Sequence, residues 1–251
     1  MHSLVIDIGN TNSKIAVFKS RTLVHFESQA ELDSRRIAEL LEKFEVKSAT
    51  VSSVDKAHEE VIALLKARTQ YIEFSTRINP GIKNNYKTLS TLGLDRWAKV
   101  IAAQRFYPGE DVFMIDAGTC ITYDLLNNQA EYFGGSISLG IKMRFQALHH
   151  FTGKLPLVEW ENEETTIPDG TDTNKAIQNG VLQGVVNELA GFITSQLNKN
   201  NKVKVLITGG DAPFFKNQLK GCNFASQVIY EPYLVLKGLN EVIAFEYVQK
   251  N

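Results

Sequence analysis

The segment LVIDIGNTNSKIAVF, residues 4–18, consists of two apolar runs separated by a short stretch rich in Gly and Asn. Apolar runs that flank such a stretch are typical of a β-hairpin with a tight turn. The first run contains an acidic residue, Asp7, and a buried carboxylate is unfavourable unless it is paired or bound to a cation. The segment therefore predicts a hairpin whose turn lies next to a ligand.

The same pattern occurs again in VFMIDAGTCITYDLL, residues 112–126. An apolar strand again leads to an acid, Asp116, which is followed by Gly118, Thr119 and a second alternating strand. Internal repetition of this kind indicates a duplicated architecture. We therefore expect two related α/β domains, residues 1–109 and residues 110–251.

The segments around the two hairpins alternate between strand-like and helix-like patterns, which predicts a mixed α/β fold. A third strand is expected at residues 22–28, and residues 77–93 are expected to form a long loop. Four of the expected helices are residues 31–44, 94–106, 141–151 and 173–197.

The overall composition excludes several classes of function. The chain of 251 residues has 27 Lys and Arg against 28 Asp and Glu, so no basic surplus favours nucleic acid. No apolar stretch approaches the roughly 20 residues that span a bilayer, and the start lacks the basic region of a signal peptide. The two cysteines, Cys120 and Cys222, are isolated. This pattern fits a reducing compartment, so a cytoplasmic protein is expected.

Two Asp-x-Gly turns that carry Thr or Asn suit the phosphates of a nucleotide and a cation. Gly lets backbone N–H groups approach phosphate oxygens, hydroxyl and amide groups donate further bonds, and carboxylates hold the cation. Neither the P-loop pattern nor a strand-linked G-x-G-x-x-G is present. One such turn alone is commonly only turn chemistry, but two equivalent copies favour a ligand site.

Five motifs together resemble the type III pantothenate kinases of the actin/Hsp70/sugar-kinase superfamily. They are DIGNTNSK (7–14), GLDR (93–96), DAGTCITYD (116–124), GGSISLG (134–140) and TGGDA (208–212). The resemblance implies two duplicated ribonuclease H-like (actin-like ATPase) domains with an ATP cleft between them. It also implies ATP-dependent phosphorylation of pantothenate to 4′-phosphopantothenate, the first step of coenzyme A biosynthesis. Leu139 stands where the family usually has Pro, and Cys120 where Ala is usual.

The resemblance also implies the residues that bind ATP with Mg²⁺ and a monovalent cation, K⁺ or NH₄⁺. The first phosphate loop would comprise Asp7, Ile8, Gly9, Asn10, Thr11, Asn12, Ser13 and Lys14. Asp116 would be the ligand of the monovalent cation, and Thr119 would contact ATP. Gly209 and Gly210 would leave bare backbone for adenine, although these two residues alone fit a strand-ending turn equally well.

The GLDR motif would line the substrate site, with Asp95 accepting the proton of the pantothenate hydroxyl. The implied substrate contacts are Tyr86, Gly93, Leu94, Asp95, Arg96 and Thr173. Four of these residues have an alternative of a purely structural kind. Asp95 or Thr173 could cap its helix, Arg96 could be a surface charge, and Tyr86 could pack the loop. Thr171 lies close enough in sequence to replace Thr173.

A homodimer is expected, with the second subunit completing the substrate pocket. The resemblance implies it, and the helix at 173–197 has a broad apolar perimeter. Its large apolar residues are Ile177, Val181, Val185, Leu189 and Phe192, and its small ones are Ala176, Gly180 and Gly184. Two alternative functions remain: a kinase for another small alcohol, and a non-catalytic nucleotide-binding regulator. The intact Asp95 and Asp116 disfavour the regulator.

Overall fold

The computed structural model describes residues 1–53, 58–161 and 166–249. In chain order the elements are β1 (His2–Ile8), β2 (Ser13–Lys19), β3 (Thr22–Gln29), α1 (Ser34–Lys43), β4 (Val46–Ser53), α2 (Glu59–Arg68), β5 (Gln70–Glu73), β6 (Lys83–Asn84), α3 (Leu94–Phe106), β7 (Val112–Ala117), β8 (Cys120–Leu126), β9 (Glu131–Leu139), α4 (Ile141–His150), α5 (Thr173–Lys199), β10 (Lys204–Thr208), α6 (Ala212–Gln218), β11 (Val228–Tyr230) and α7 (Leu234–Gln249). None of the helices in the described part of the chain is both long and apolar enough to cross a membrane.

The two sheets repeat one topology. The first has the strand order β3-β2-β1-β4-β5, with β1 antiparallel to β2 and parallel to β4. The second has the order β11-β10-β7-β8-β9-β6, with β7 antiparallel to β8 and parallel to β10. Strands β7 to β11 thus repeat the order of β1 to β5, and β6 is added at the edge. The expected α/β architecture with a duplicated hairpin is confirmed.

The repetition places the two acidic residues at equivalent positions. Asp7 is opposite Lys14 on β2 and Ser52 on β4. Asp116 is opposite Thr122 on β8 and Thr208 on β10. Each acid therefore lies near the carboxyl end of the central strand of its sheet, where the turn to the next strand begins.

The chain forms two compact units. Unit 1 contains residues 1–109, 129–133 and the described residues from Tyr233 on, and unit 2 contains residues 110–128 and 134–232. Helix α7 thus packs within unit 1, against α3 and β1, although the domain division expected from the sequence places it in the second domain. The division into domains 1–109 and 110–251 stays a prediction, and the packing units differ from it.

Specific contacts explain why α7 packs in unit 1. The carboxylate of Glu241, which is buried, accepts hydrogen bonds from Arg21 at 2.6 and 3.2 Å, and Arg105 approaches it at 3.3 Å. Asn240 accepts a hydrogen bond from Ser3 at 2.6 Å. Gly238 lets the backbones of α7 and α3 come together, because a Cβ there would lie 2.6 Å from the carbonyl carbon of Ala98.

Each unit has its own apolar core. In unit 1, alternate residues of β1 and β2 pack with α1 and α2. In unit 2, the strands β7, β8 and β10 pack with α4, α5 and α6. The expected helix 94–106 agrees with α3, and the expected helices 31–44, 141–151 and 173–197 are confirmed within three residues at each end. Helix α6 was not among the expected helices.

Candidate active site

The turn from β1 to β2, predicted to bind phosphate, is named here the first phosphate turn, and its counterpart from β7 to β8 the second. The first phosphate turn is exposed from Gly9 to Asn12. The backbone N–H of Gly9 donates to the carbonyl of Asn12 at 3.2 Å, which closes the turn. Ile8 and Ser13, which flank the exposed residues, are buried at 4% and 3% exposure. The exposed backbone of the turn can present N–H groups to an anion.

The second phosphate turn connects β7 to β8 and comprises residues 116–120. Asp116 is half-buried and Thr119 is exposed. The N–H of Gly118 donates to the carbonyl of Cys120 at 3.1 Å, which is the counterpart of the bond that closes the first turn. From the start of α4, the N–H of Gly140 donates to the carbonyl of Thr119 at 3.1 Å. The second turn is therefore supported by the segment that follows β9.

The segment after β10 also lies against the second phosphate turn. Gly209 has a φ of +98°, and a Cβ there would lie 2.6 Å from the carbonyl carbon of Ala117. The N–H of Asp211 donates to the same carbonyl at 2.9 Å. At Gly210, by contrast, a Cβ would meet no atom within 4 Å. Gly209 is thus required by the fold, whereas Gly210 lines open space beside the turn.

The GLDR motif forms the start of α3 in unit 1. Gly93 is the N-cap, and no side chain caps this helix. Asp95 lies in the first turn with its carboxylate against the Cα of Gly93. The alternative in which Asp95 caps the helix is therefore wrong. The alternative in which Arg96 is a surface charge is also wrong, because Arg96 is only 4% exposed.

The structure brings Arg96 together with Tyr86 from the long loop. The guanidinium of Arg96 lies 5.4 Å from the centroid of the Tyr86 ring, and this ring is stacked on Tyr132 at 6.3 Å. Trp97 packs on Tyr132 at 6.1 Å and donates its indole N–H to the carbonyl of Ile78 at 2.9 Å. Tyr86 therefore packs its loop, as its structural alternative states, and also contacts a predicted substrate residue. Tyr132 was not predicted, because no local pattern indicates its partners.

Thr173 is the first residue of α5 in unit 2 and is exposed. The N-cap is Asp172, whose carboxylate accepts the N–H of Lys175 at 3.0 Å. The alternative in which Thr173 caps the helix is therefore wrong. Because an exposed side chain at the start of a helix is accessible, Thr173 can contact a ligand or a second chain.

The large apolar residues of α5 all pack inside unit 2. Ile177, Val181, Val185 and Leu189 are between 0% and 6% exposed, and Phe192 packs on the same core. The small residues Ala176, Gly180 and Gly184 form a neighbouring stripe and are exposed. The face of large residues is therefore covered by the chain's own core, and burial of the second face by another subunit stays a prediction.

Two charged side chains outside the predicted set are fully buried. They are Lys99 on α3 and Asp124 on β8, both 0% exposed. Each occurs as a single charge within an otherwise apolar run, WAKVIAA and ITYDLL. That pattern is the sequence signal that could have identified them, because charged residues are almost never fully buried unless paired.

One ionised group in unit 2 has a shifted pKa of clear origin. Burial raises the pKa of Glu188, but hydrogen bonds from Arg144, Tyr123 and Ser138 and the charge of Arg144 outweigh it, so the pKa lies below its usual range. Burial, followed by the hydrogen bond to Glu188, raises the pKa of Tyr123 far above its usual range. These side chains thus form a stable pair of a carboxylate and a neutral phenol at neutral pH.

The acids of the described residues do not form a preformed metal cage. Among residues 1–53, 58–161 and 166–249, no group of three or more His, Cys, Asp and Glu side chains could hold a metal ion. A half-buried Asp116 beside backbone N–H groups fits a cation shared with phosphate oxygens, since hard cations take oxygen ligands and keep several waters. The residues therefore fit a cation that arrives with a nucleotide.

Comparison with known sequences gives a consistent result. A family model described as type III pantothenate kinase matches residues 3–195. A type III pantothenate kinase of Bacteroides fragilis (strain YCH46) is 40% identical over 247 residues, covering 97% of this chain and 98% of that protein. A type III pantothenate kinase of Flavobacterium psychrophilum is 35% identical over 251 residues, covering 97% and 99%.

Comparison with solved structures supports the fold. A Campylobacter jejuni protein assigned to the Baf family of transcriptional activators superposes with a TM-score of 0.60 at 24% identity, covering 98% of this chain and 99% of that one. The activator of the 2-hydroxyisocaproyl-CoA dehydratase from Clostridium difficile, with bound ADPNP, gives a TM-score of 0.54 at 14% identity, covering 100% and 96%. With the repeated sheet topology, these similarities confirm two duplicated ribonuclease H-like domains of the actin-like ATPase class.

Proposed function

The chain belongs to the type III pantothenate kinase family, and on this premise we propose which of its residues carry the reaction. The family phosphorylates pantothenate with ATP and a divalent metal ion, the first step of coenzyme A biosynthesis. At this identity, pantothenate kinase describes the chain better than a kinase for another small alcohol or a non-catalytic regulator does. What is proposed here is the role of each residue, the monovalent cation, the oligomeric state and a cytoplasmic location.

Asp95 is proposed as the base that accepts the proton of the pantothenate hydroxyl. The observation that carries this role is its position in the first turn of α3, where it does not cap the helix. The positive end of the helix dipole favours the ionised carboxylate. The side chain is only half-buried and does not cap the helix, so a substrate can reach it. In phosphoryl transfer a carboxylate of this kind orients the attacking hydroxyl and takes its proton.

Arg96 and Tyr86 are proposed to bind the other end of the substrate. Arg96 is nearly buried and stacks over Tyr86 at 5.4 Å, so its guanidinium is held in one orientation. A fixed guanidinium suits the carboxylate of pantothenate because it can form two parallel charge-assisted bonds. Gly93 and Leu94, at the start of the same helix, would complete this part of the site.

The two phosphate turns are proposed to bind ATP through backbone N–H groups. The proposed phosphate contacts are the backbone from Gly9 to Asn12 in the first turn and Thr119 in the second. A cation bound at Asp116 would offset the repulsion between the carboxylate and the triphosphate. We propose K⁺ or NH₄⁺ at Asp116, in addition to the Mg²⁺ that accompanies ATP. Most of the catalysis would then be positioning and charge stabilisation.

A homodimer is proposed to form through the exposed small-residue stripe of α5. Ala176, Gly180 and Gly184 present little side-chain bulk, so a second helix can approach closely. Isologous contacts about a two-fold axis are the commonest kind in oligomers. The exposed Thr173 at the start of this helix would then contribute to the substrate site of the second subunit.

The test combines a substrate panel with one variant. Purified protein with ATP, Mg²⁺ and K⁺ should phosphorylate pantothenate in preference to sugars and other small alcohols. Asp95→Asn keeps the shape of the side chain but cannot accept the proton, so turnover should fall by about 10² to 10⁴. Asp33→Asn is the matched control, because Asp33 caps α1 in the same unit and is outside the proposed site. An Asp95→Asn enzyme within a few-fold of wild type would exclude the role of base.

A further inference from the structure

Four elements of unit 2 are joined by one polar cluster around Arg144 on α4. Arg144 donates its Nε–H to the carbonyl of Leu139 at 2.9 Å and its Nη2–H to Ser138 Oγ at 3.0 Å. The same Nη2 lies 2.6 Å from Oε2 of Glu188 on α5. Oε1 of Glu188 accepts the hydroxyl of Tyr123 on β8 at 2.8 Å. We refer to these five residues as the Arg144 cluster.

The Arg144 cluster is partly shielded from water, so its geometry is well defined. The side chains of Arg144 and Glu188 are 20% and 24% exposed, and Tyr123 is 1% exposed and stacked on Phe192 at 4.0 Å. An ion pair that is partly buried is less screened than one on the surface. A planar guanidinium with several fixed donors also holds its acceptors in a single arrangement.

The junction held by Arg144 directly contacts the second phosphate turn. Gly140 follows Leu139 and donates its N–H to the carbonyl of Thr119 at 3.1 Å. The approach is so close that a Cβ on Gly140 would lie 2.8 Å from the carbonyl carbon of Thr119 and would overlap the carbonyl oxygen of Gly118. A shift of the β9–α4 junction would therefore also move the second phosphate turn.

The residue at the end of β9 does not restrict its own backbone. Leu139 leaves its φ free, whereas a Pro at this position would fix it. The hydrogen bond from Arg144 to the carbonyl of Leu139 constrains the same peptide from outside.

We propose that Arg144, oriented by Glu188, is a positioning residue that holds the β9–α4 junction against the second phosphate turn and so keeps Thr119 in place for ATP. The proposal rests on the proposed function, since it needs the second turn to be a phosphate site. Arg144 acts through Leu139 and Gly140 and does not itself contact the reacting atoms.

The decisive measurement is a comparison of Michaelis constants. Arg144→Met removes the guanidinium but keeps an unbranched apolar stem. Misplacement of the turn should then lower kcat/KM for ATP by about 10- to 100-fold, chiefly through a higher KM for ATP. The KM for pantothenate should stay within about two-fold, since the proposed pantothenate contacts on α3 lie in unit 1. Arg144→Lys should recover only a small part of the loss, because an ammonium lacks the planar fork of donors.

The matched control is Arg21→Met, which breaks the bonds of 2.6 and 3.2 Å to Glu241 in unit 1. It is expected to lower Tm but to leave the KM for ATP unchanged. If Arg144→Met likewise lowers only Tm, the Arg144 cluster is merely structural and the proposal is overturned. If Arg144→Met does not fold, Glu188→Gln provides the same comparison, with an expected rise in the KM for ATP.

A rescue variant tests the route through residue 139. In the Arg144→Met background, Leu139→Pro should lower the KM for ATP most of the way to the wild-type value. A KM that the Pro does not lower would overturn the junction as the route. Asp116→Asn separates this proposal from the proposed function: if Asp116→Asn impairs ATP use and Arg144→Met does not, only the positioning role fails. If neither variant affects ATP use, the phosphate site itself is wrong.

Discussion

Gly209→Ala should destabilise the protein strongly, because two separate costs meet at this position. The φ of +98° is strained for any residue with a Cβ, at a cost of about 1–3 kcal/mol. The added Cβ would lie 2.6 and 2.7 Å from the carbonyl carbon and the amide nitrogen of Ala117, and overpacking of this kind costs about 1–3 kcal/mol more. The expected loss of unfolding free energy is therefore about 2–6 kcal/mol, which lowers Tm by about 5–20 °C in a chain of this length.

The neighbouring glycine is the matched control. Gly210→Ala adds the same methyl group where no atom lies within 4 Å, so stability should change by no more than about 0.5 kcal/mol. If adenine lies against this backbone, Gly210→Ala should instead raise the KM for ATP. Urea denaturation and thermal melting of the two variants, followed by ATP kinetics, measure both effects. A Gly209→Ala protein as stable as wild type would refute the argument from φ and close approach.

Three further predictions concern the cation, the dimer and pH. Activity should require K⁺ or NH₄⁺ besides Mg²⁺, and Asp116→Asn should raise the K⁺ concentration for half-maximal rate; equal rates in Na⁺ and K⁺ would contradict the site. Sedimentation at low micromolar concentration should give about twice the chain mass of 28.1 kDa, and Gly184→Glu should give monomers that lose turnover but keep ATP binding. A fully active monomer would contradict the shared pocket. Glu188 should contribute its full share of the free energy of unfolding above pH 4.5, the ordinary pKa of Glu. This contribution should be lost as pH falls through the lower pKa of the folded state, because protonation breaks the pair with Arg144. Thermal melting against pH should therefore show a weaker acid decline in Glu188→Gln than in wild type, and equal declines would remove Glu188 as the cause.

The structure changes which residue of α5 should be substituted to test the dimer. The sequence pattern of α5 makes Val185 look like a contact for a second chain. In the structure Val185 is 0% exposed within the core of unit 2, so a charge there would disrupt folding and report nothing about association. The exposed Gly184, one residue away, is the informative position. Periodicity shows that a helix has apolar faces, but it does not show which face its own chain already covers.

The cap of α3 shows a similar limit at shorter range. Asp is one of the residue types preferred as a helix N-cap, yet the N-cap of this helix is Gly93. A shift of two residues changes Asp95 from a structural side chain into one available to a substrate. Helix boundaries depend on tertiary contacts as well as on local residues, so pattern alone could not decide between the two roles.

The amino-acid sequence by itself determined the features that depend on neighbouring residues: the two hairpins with their Asp and Gly, the main helices and the repetition of one α/β plan. The residue preferences of turns and the periodicities of strands and helices depend on only a few neighbouring residues, so they are visible in the amino-acid sequence. Only the tertiary structure decided that α7 packs in unit 1, where Asn240 meets Ser3, and that Tyr132 stacks on Tyr86. It also decided that Gly209 is enclosed and Gly210 is open. These contacts join residues far apart in the chain, and the free energy that selects them comes from burial and close packing in the folded state, which no local pattern encodes.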